Sequence, residues 1–341
     1  MQGLSVKRHR NDFLLPMHQQ YEEKQRHAHP PQERIRHVDP TSFQAAEGST
    51  DRSVSNISNN GNGQPAAAVV GHNKDDAPLA LVILNSKSEG ESKNLLRHLW
   101  RRAALRVCAD GGANRLHDSF GDGEDGDSGD QSNERARFVP DVIVGDLDSI
   151  RPEVARFYEG LGSEMKRRDD QDYCDFEKCL MEIESRLSPS QSDVAAAAAG
   201  SSCCVATVVG LGAFGGRFDH EMQAFSLLHE YTSRFHRLVL MGAGNVAILL
   251  EAGLSHVVQP DLRFEGPTVG LIPVGGPCRT VTTEGLRWNL DGRGLEFGVC
   301  VSSSNRVVED VVRVVTDAPL VWTTEFKAAA WMEAVCSVES N

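Results

Sequence analysis

Short apolar runs alternate with helical patterns through the middle of this sequence. Five runs have the composition of buried strands, namely residues 79–85 (LALVILN), 105–110 (LRVCAD), 142–146 (VIVGD), 205–210 (VATVVG) and 237–242 (RLVLMG). Helical segments lie between most of them. The clearest is DFEKCLMEIESRL, which spaces its apolar residues on one helical face, at Phe176, Cys179, Leu180, Ile183 and Leu187. Strands that alternate with helices predict a mostly parallel sheet covered on both faces.

The helical period disappears after about Leu250. Short β-type runs follow, separated by Gly, Pro and Asn, which is typical of an all-β sandwich or barrel. We therefore predict an α/β fold with two parts. Residues 78–248 form an N-terminal, mostly parallel α/β/α sandwich, and residues 249–341 form a C-terminal all-β sandwich.

Three segments are predicted to lie outside these two domains. Residues 1–77 are rich in His, Gln, Asn, Ser and Pro and have no sustained apolar period, which predicts a disordered tail. Residues 118–136 and 188–202 are predicted to be loop insertions. Residues 118–134 of the first contain seven acidic residues and no basic one, and the second is of low complexity.

The charge and the cysteines exclude some classes of partner. The chain has 35 basic and 48 acidic residues, a net charge of −13, which argues against binding to nucleic acid or to an anionic membrane. No stretch reaches the length of a membrane span. The eight cysteines do not have the regular spacing of a disulfide framework, and Cys203 and Cys204 are adjacent. This pattern indicates reduced thiols and a cytoplasmic protein.

Carboxylates follow two of the predicted strands. Asp110 ends one strand, and Asp146 and Asp148 come directly after another. Each aspartate taken alone could simply begin a turn or cap a helix. In an open parallel sheet, however, ligands bind just beyond the carboxyl ends of the strands, where these three carboxylates would meet.

A further pair of acids precedes the clearest helix. In DQDYCDFEKCL, Asp175 occupies the position expected of an N-cap and Asp172 lies just ahead of it. A helix N-terminus also binds phosphate readily. A cluster of hard oxygen ligands suits Mg²⁺, which completes its shell with water and substrate phosphates. The carboxylates therefore predict a site for magnesium and a phosphate compound.

A glycine loop at residues 210–215 offers a rival hypothesis. Gly210-x-Gly212-x-x-Gly215 matches the dinucleotide fingerprint of nicotinamide-dependent oxidoreductases. The fingerprint requires an acidic residue at the end of the next strand, which here reads LVLMGAGN and has none. We expect instead that the glycines let the backbone approach a phosphate. Arg217 would add positive charge and Asp219 a ribose or metal contact.

These motifs together resemble a known family. CADGGANRL, PDVIVGDLDSI, DQDYCDFEKCL, GAFGGRFDH, GLIPVGGPCRTVTTEGLRWNL and VSSSN occur in the order seen in eukaryotic thiamine pyrophosphokinases, over roughly residues 78–328. FLLP at residues 13–16 resembles the start of the plant forms. The resemblance implies transfer of the diphosphoryl group of ATP to the hydroxyl of thiamine, which releases AMP.

The resemblance also implies roles for single residues. It implies Mg²⁺ ligands at Asp146, Asp148 and Asp175, with Asp110 beside them as the fourth catalytic carboxylate. The positions that match those holding ATP are Gln171, Asp172, Lys178, Gly212, Gly215, Gly216, Arg217 and Asp219. The positions that match the thiamine side are Trp288, Ser302, Ser304 and Asn305. Cys174 stands where the family usually has threonine, and the family's assembly implies a homodimer with shared active sites.

Some alternatives stay open at this stage. The face of Trp288 suits the cationic thiazolium of thiamine, but a tryptophan in a β domain is also common in the core. Ser302, Ser304 and Asn305 could equally form a polar turn. A phosphotransferase of the same fold could act on another heterocyclic alcohol. A non-catalytic nucleotide sensor would be expected to have lost some of the carboxylates, and all are present.

Overall fold

A computed structural model describes residues 4–15, 77–86, 93–120, 134–188 and 204–339. Its strands are β1 (Val6–His9), β2 (Leu79–Ile83), β3 (Ala103–Ala109), β4 (Val142–Gly145), β5 (Glu164–Arg167), β6 (Cys204–Leu211), β7 (Phe235–Gly242), β8 (Asn245–Leu250), β9 (Ser255–Val258), β10 (Glu265–Ile272), β11 (Cys278–Glu284), β12 (Arg293–Leu295), β13 (Ser302–Arg306), β14 (Val312–Thr316) and β15 (Leu320–Phe326). Its helices are α1 (Lys93–Arg102), α2 (Gly112–Ser119), α3 (Pro152–Gly160), α4 (Asp175–Leu187), α5 (Phe218–Tyr231) and α6 (Ala328–Glu339).

The larger sheet contains ten strands in the order β13-β10-β15-β8-β7-β6-β2-β3-β4-β5. The six strands from β7 to β5 are parallel, and helices connect most of them, as the alternating pattern predicts. Neighbouring strands β2, β3 and β4 are nearly continuous apolar runs because both faces of this half are covered. The predicted parallel α/β/α domain is confirmed.

The other half of this sheet is antiparallel and continues into the C-terminal domain. β8 pairs with β7 on one side and with β15 on the other. A second sheet, of order β1-β9-β14-β11-β12, shares one apolar cluster with it. Ile248 and Trp322 of the large sheet and Val281 and Val314 of the small sheet belong to that cluster. The predicted β sandwich is therefore present, but a boundary between residues 248 and 249 falls inside β8.

The predicted helix at residues 175–187 is confirmed as α4. Its apolar face is buried at Phe176, Cys179, Leu180 and Ile183, against β3 and β4. The N-cap differs from the expectation, because it is Cys174 and not Asp175, which begins the helix. In this described segment the Cys174 side chain makes no cap hydrogen bond.

Residues 4–15 correct the prediction of a disordered tail. β1 pairs in parallel with β9 at the edge of the small sheet, and the 3-10 helix Asp12–Leu14 follows it. Leu14 is completely buried, and its carbonyl accepts a hydrogen bond of 2.8 Å from Trp331 Nε1. We call residues 4–15 the N-terminal strap. The remainder of the predicted tail up to residue 76 lies outside the described residues, as does most of both predicted insertions.

The strap joins three parts of the fold. His98 of α1 lies 2.9 Å from the Phe13 carbonyl, and the guanidinium of Arg237 in β7 donates to the Arg10 carbonyl. His9 and His256, on the paired strands β1 and β9, are joined by a buried hydrogen bond of 2.9 Å. The C-terminal helix α6, which the prediction placed within the β sandwich, packs against α1 beside the strap. Within the described residues, no helix combines the length and apolarity needed to span a membrane.

Replacement of Leu14 by alanine should destabilise the fold. Leu14 is completely buried, so its truncation leaves a cavity and is expected to cost about 2–5 kcal/mol of unfolding free energy. Leu4→Ala, at a strap residue that is 40% exposed, is the matched control and should change stability by less than about 0.5 kcal/mol. Urea unfolding measures both. Equal stability of the two variants would show that the strap does not pack on the fold.

Candidate functional site

The carboxylates stand at the carboxyl edge of the parallel sheet, where the sequence predicts them. β3 and β4 are neighbouring parallel strands, and the Asp110 amide continues their ladder by donating to the Val144 carbonyl at 2.9 Å. Asp146 and Asp148 follow β4, and Asp175 begins α4. The topology therefore brings all four predicted carboxylates to one edge.

Asp110 holds the loop that follows β4. It is buried, with 1% of its surface exposed, and its two carboxylate oxygens accept the amides of Ser149 at 3.1 Å and Ile150 at 3.0 Å. The backbone of Asp110 is left-handed, with φ of +41°, which aspartate tolerates better than most residues. Asp110 thus fixes the segment that carries Asp146 and Asp148.

Asn114 supports the same loop, and the motif analysis did not single it out. Its side-chain amide donates to the Ser149 carbonyl at 2.9 Å, and its side-chain oxygen accepts the Arg151 amide at 3.0 Å. The residue is buried in α2. The sequence signal for this role is an asparagine inside a short helix. Such a side chain often bonds to backbone groups outside the helix, and here those groups belong to a neighbouring loop.

The carboxylates form a compact and electrostatically strained group. Asp110, Asp146 and Asp148 each present an oxygen within 4.8 Å of the other two. Burial, and secondarily the charges of Asp175 and Asp146, raise the pKa of Asp110 to about 6. Leu147, which lies between Asp146 and Asp148 in the sequence, has a left-handed φ of +63°, and this conformation costs a residue with a Cβ about 1–2 kcal/mol. The arrangement concentrates negative charge that a divalent cation would neutralise.

Asp175 lies on the inner side of this group. A Cβ added to Gly145 would stand 3.1 Å from Asp175 Oδ1 and 2.7 Å from Asp110 Cβ, so the absent side chain lets the two acids approach β4. Burial raises the pKa of Asp175, while the ammonium of Lys178 at 3.4 Å opposes that shift. Lys178 is 97% buried, so it serves here as the counter-charge of Asp175.

The other residues predicted to hold ATP are divided between two places. Gln171 Nε2 donates to Asp146 Oδ2 at 3.1 Å, and this bond is the main cause of the lowered pKa of Asp146. Asp172 is exposed, and its amide donates to Asp170 Oδ1 at 2.9 Å. Arg217 and Asp219 lie at the start of α5, where they form an exposed ion pair of 2.5 Å.

The glycine loop between β6 and α5 uses its amides internally. The amides of Gly212 and Ala213 donate to the Met241 carbonyl, each at 2.9 Å. The amides of Gly215 and Gly216 donate to Glu221 Oε1, at 2.9 and 3.2 Å. The expected approach of these glycines to a phosphate stays a prediction. Glu221 is a second residue that the motif analysis did not single out.

The residues predicted on the thiamine side lie together in the β sandwich. Trp288 is 55% exposed, while Trp100, Trp322 and Trp331 are buried, so Trp288 is not part of the core. The guanidinium carbon of Arg287 stands 4.9 Å from the centre of its ring, which shows that this ring already attracts a cation.

Asn305 and Ser302 support the Trp288 segment from β13. Asn305 is buried, donates to the Trp288 carbonyl at 2.9 Å and accepts the Trp288 amide at 3.3 Å. Its side-chain amide also lies 3.3 Å from Ser302 Oγ. Ser304 is exposed in a left-handed conformation with φ of +54°. The structure therefore gives Asn305 a positioning contact with Trp288.

Comparison with known proteins matches both halves of the chain to one family. Residues 96–240 match the family model "Thiamin pyrophosphokinase, catalytic domain", and residues 255–321 match "Thiamin pyrophosphokinase, vitamin B1 binding domain". Thiamine pyrophosphokinase 1 of Oryza sativa subsp. japonica is 40% identical over 252 residues, which cover 74% of this chain and 88% of the rice protein. The chain belongs to the thiamine pyrophosphokinase family.

Solved structures of the family have the same fold. Yeast thiamin pyrophosphokinase superposes with a TM-score of 0.64 at 24% identity, over 76% of this chain and 89% of the yeast chain. The enzyme from Candida albicans gives a TM-score of 0.61 at 26% identity, over 74% of this chain and 90% of the other. The predicted family and fold class are confirmed.

The two family models divide the predicted residues as the sequence motifs do. The catalytic-domain match contains the carboxylates, Gln171, Lys178 and the glycine loop, and the vitamin B1-binding match contains Trp288 and the VSSSN segment. Neither match reaches the N-terminal strap or α6.

Replacement of Asp110 by alanine tests whether this carboxylate anchors the loop. The change removes the acceptor of two amides, of which that of Ile150 is buried, and is expected to cost about 1–3 kcal/mol of unfolding free energy, the usual cost of one buried unpaired donor. Asp148→Ala, at an exposed aspartate of the same group, should cost less than about 1 kcal/mol. Thermal or urea unfolding compares them. A smaller loss for Asp110→Ala than for Asp148→Ala would contradict the anchoring role.

Proposed function

We propose that this protein is a thiamine diphosphokinase, which transfers the β,γ-diphosphoryl group of ATP to the hydroxyl of thiamine. The products are thiamine diphosphate and AMP. The observation that carries this proposal is the carboxylate cluster at the sheet edge, in a chain that matches both the catalytic and the vitamin B1-binding models of the family. Transferase activity and the use of ATP and thiamine are what the family relationship supports.

The chemistry requires positioning and charge neutralisation more than covalent help from the protein. The thiamine oxygen attacks the β-phosphorus, the bond from that phosphorus to the oxygen bridging the α- and β-phosphates breaks, and AMP leaves with that oxygen. The thiamine hydroxyl loses its proton in the same step. The carboxylates at the sheet edge are the proton acceptors that we propose for this step.

The carboxylate group fits a magnesium ion. Its donors are hard oxygens, which Mg²⁺ prefers, and their mutual repulsion is compensated only in part by Lys178 and Gln171. We propose that Asp146, Asp148 and Asp175 hold the ion. Bound there, Mg²⁺ would neutralise charge on the transferred phosphates. Asp110, whose oxygens are occupied by two amides, would hold the ligand loop in place.

Arg217 and Trp288 complete the proposed roles. The guanidinium of Arg217, exposed at the start of α5, is suited to a phosphate of ATP. The exposed ring of Trp288 is suited to the flat, cationic thiazolium, which would exchange with the guanidinium of Arg287 on the ring face.

We also propose a two-fold homodimer with shared sites and a cytoplasmic location. The α/β domain carries the proposed metal and ATP residues, while Trp288 belongs to the β sandwich. In a two-fold dimer, the α/β domain of each subunit would face the β sandwich of the other, and the pair would form two equivalent composite sites. Phe297, Val299 and Val308 are exposed on the same β sandwich, as expected of a surface that a second subunit covers. The described cysteine side chains are free thiols, which agrees with a reducing compartment.

Incubation with thiamine, ATP and Mg²⁺ tests the proposed reaction. We expect equal amounts of AMP and thiamine diphosphate, measured by chromatography. Formation of ADP with thiamine monophosphate would instead indicate transfer of a single phosphoryl group. Product with another heterocyclic alcohol and none with thiamine would show that the substrate assignment is wrong.

Asp148→Asn tests the magnesium ligands. The substitution keeps the shape of the side chain but removes a ligand charge, and should lower kcat by roughly 10²-fold, as loss of one preorganised charge-stabilising group does. Glu159→Gln, at an exposed acid at the end of α3, is the control and should leave kcat unchanged. Near-normal turnover of Asp148→Asn at saturating Mg²⁺ would remove this residue from the site.

Mixed dimers test the shared site. Asp148→Asn and Trp288→Ala subunits should each be nearly inactive alone and should complement when they are refolded together. About half of randomly paired dimers are mixed, and one of the two sites in each mixed dimer is wild type, so about a quarter of all sites should recover. Mixed dimers that form without recovered activity would show that each site lies within one subunit.

A further inference from the structure

The glycine turn before α5 is closed by a carboxylate of the same helix. Glu221 lies one turn into α5, and its Oε1 accepts the amides of Gly215 and Gly216 at 2.9 and 3.2 Å. Gly215 has φ of +86°, the left-handed conformation that the turn requires. Two successive amides directed at one oxygen form an anion-binding concavity, and here the protein itself supplies the anion.

The remaining contacts fix the turn on both sides. Its first two amides, from Gly212 and Ala213, donate to the Met241 carbonyl at the end of β7. Ser86 Oγ donates to the Phe214 carbonyl at 3.3 Å. Four amides of residues 212–216 are therefore bonded within the protein, and a phosphate could use them only by breaking these bonds.

The turn instead determines where the next side chains stand. Arg217 is the N-cap of α5, directly after the two glycines, and its guanidinium forms a two-pronged contact with the Asp219 carboxylate at 3.1 and 2.5 Å. Both side chains are exposed, at 70% and 62%. Because Glu221 holds the backbone directly before Arg217, its carboxylate controls the direction in which this pair is presented.

We propose that Glu221 is a positioning residue for nucleotide binding, which acts by fixing the Gly215–Gly216 turn so that Arg217 meets the phosphates of ATP and Asp219 stands beside it for a ribose or metal contact. This inference rests on the proposed function for the identity of the nucleotide. The loop then recognises ATP through the side chains that it presents, and its glycine amides serve the conformation of the loop.

Binding of an uncleavable ATP analogue tests the inference without turnover. The probe is the analogue with a methylene group between the α- and β-phosphates, with Mg²⁺, titrated calorimetrically. In Glu221→Ala the turn loses its acceptor. If the turn then spends about a tenth of its time in the binding conformation, the Kd rises about tenfold.

Two further variants separate position from charge. Glu221→Gln keeps a side-chain oxygen that can accept both amides, so the turn should hold its position. Its Kd for the analogue should therefore stay within about threefold of the wild-type value. Glu230→Gln removes an exposed charge from the same helix and should leave the Kd unchanged. In steady-state assays, Glu221→Ala should raise the KM for ATP while the KM for thiamine stays constant.

The other outcomes overturn the inference. Tighter binding by both Glu221 variants would show that the carboxylate occupies a phosphate subsite and competes with ATP. An unchanged Kd in Glu221→Ala, or equal weakening in Glu221→Gln, would exclude control through position. The wild type and the variants could all bind the analogue as expected while the wild type releases no AMP with thiamine. That result would refute the proposed function and leave this inference intact.

Discussion

The hydrogen bonds from the Ser149 and Ile150 amides to the buried carboxylate of Asp110 connect the core of the sheet to the site. They cross from the end of β3 to the loop after β4, so two neighbouring strands determine the position of Asp146 and Asp148. Asn114 adds two bonds to the same loop from α2. A site built on strand ends in this way is held more precisely than one carried by a free loop.

Negative charge is concentrated around this anchor at an energetic cost. Burial raises the pKa of both Asp110 and Asp175, whereas the bond from Gln171 lowers the pKa of half-buried Asp146. Lys178 is the buried cation beside Asp175. Asp110 is therefore satisfied by two backbone amides and Asp175 only in part by Lys178, so the carboxylate group as a whole keeps an excess of negative charge.

The sequence predicted the parts of this fold that depend on local pattern. Apolar runs located the parallel strands, and the 3.6-residue period located α4 almost to the residue. Strand ends and motif order also located the carboxylates and placed Trp288 with the β sandwich. These features are readable because each depends on residues close together in the chain or on a sheet whose topology constrains the ends of its strands.

Features that depend on distant partners were missed. The strap is polar along β1, and its apolar residues Phe13, Leu14 and Leu15 are too few to form a period. Their burial depends on β9, α1 and α6, which lie far away in the sequence. The boundary inside β8 was missed for a similar reason, since one strand serves both halves of the large sheet. Glu221 and Asn114 act through side-chain bonds to backbone groups, for which a single sequence offers little signal.

The position of a bound cation tests the central claim most directly. Crystals of the protein grown with Mn²⁺ and the uncleavable ATP analogue would locate the ion by its anomalous scattering. Our account predicts an ion bound by Asp146, Asp148 and Asp175, with both oxygens of Asp110 still accepting the amides of Ser149 and Ile150. An ion bound directly by Asp110, with those amide bonds broken, would contradict the claim that this residue is the anchor of the site.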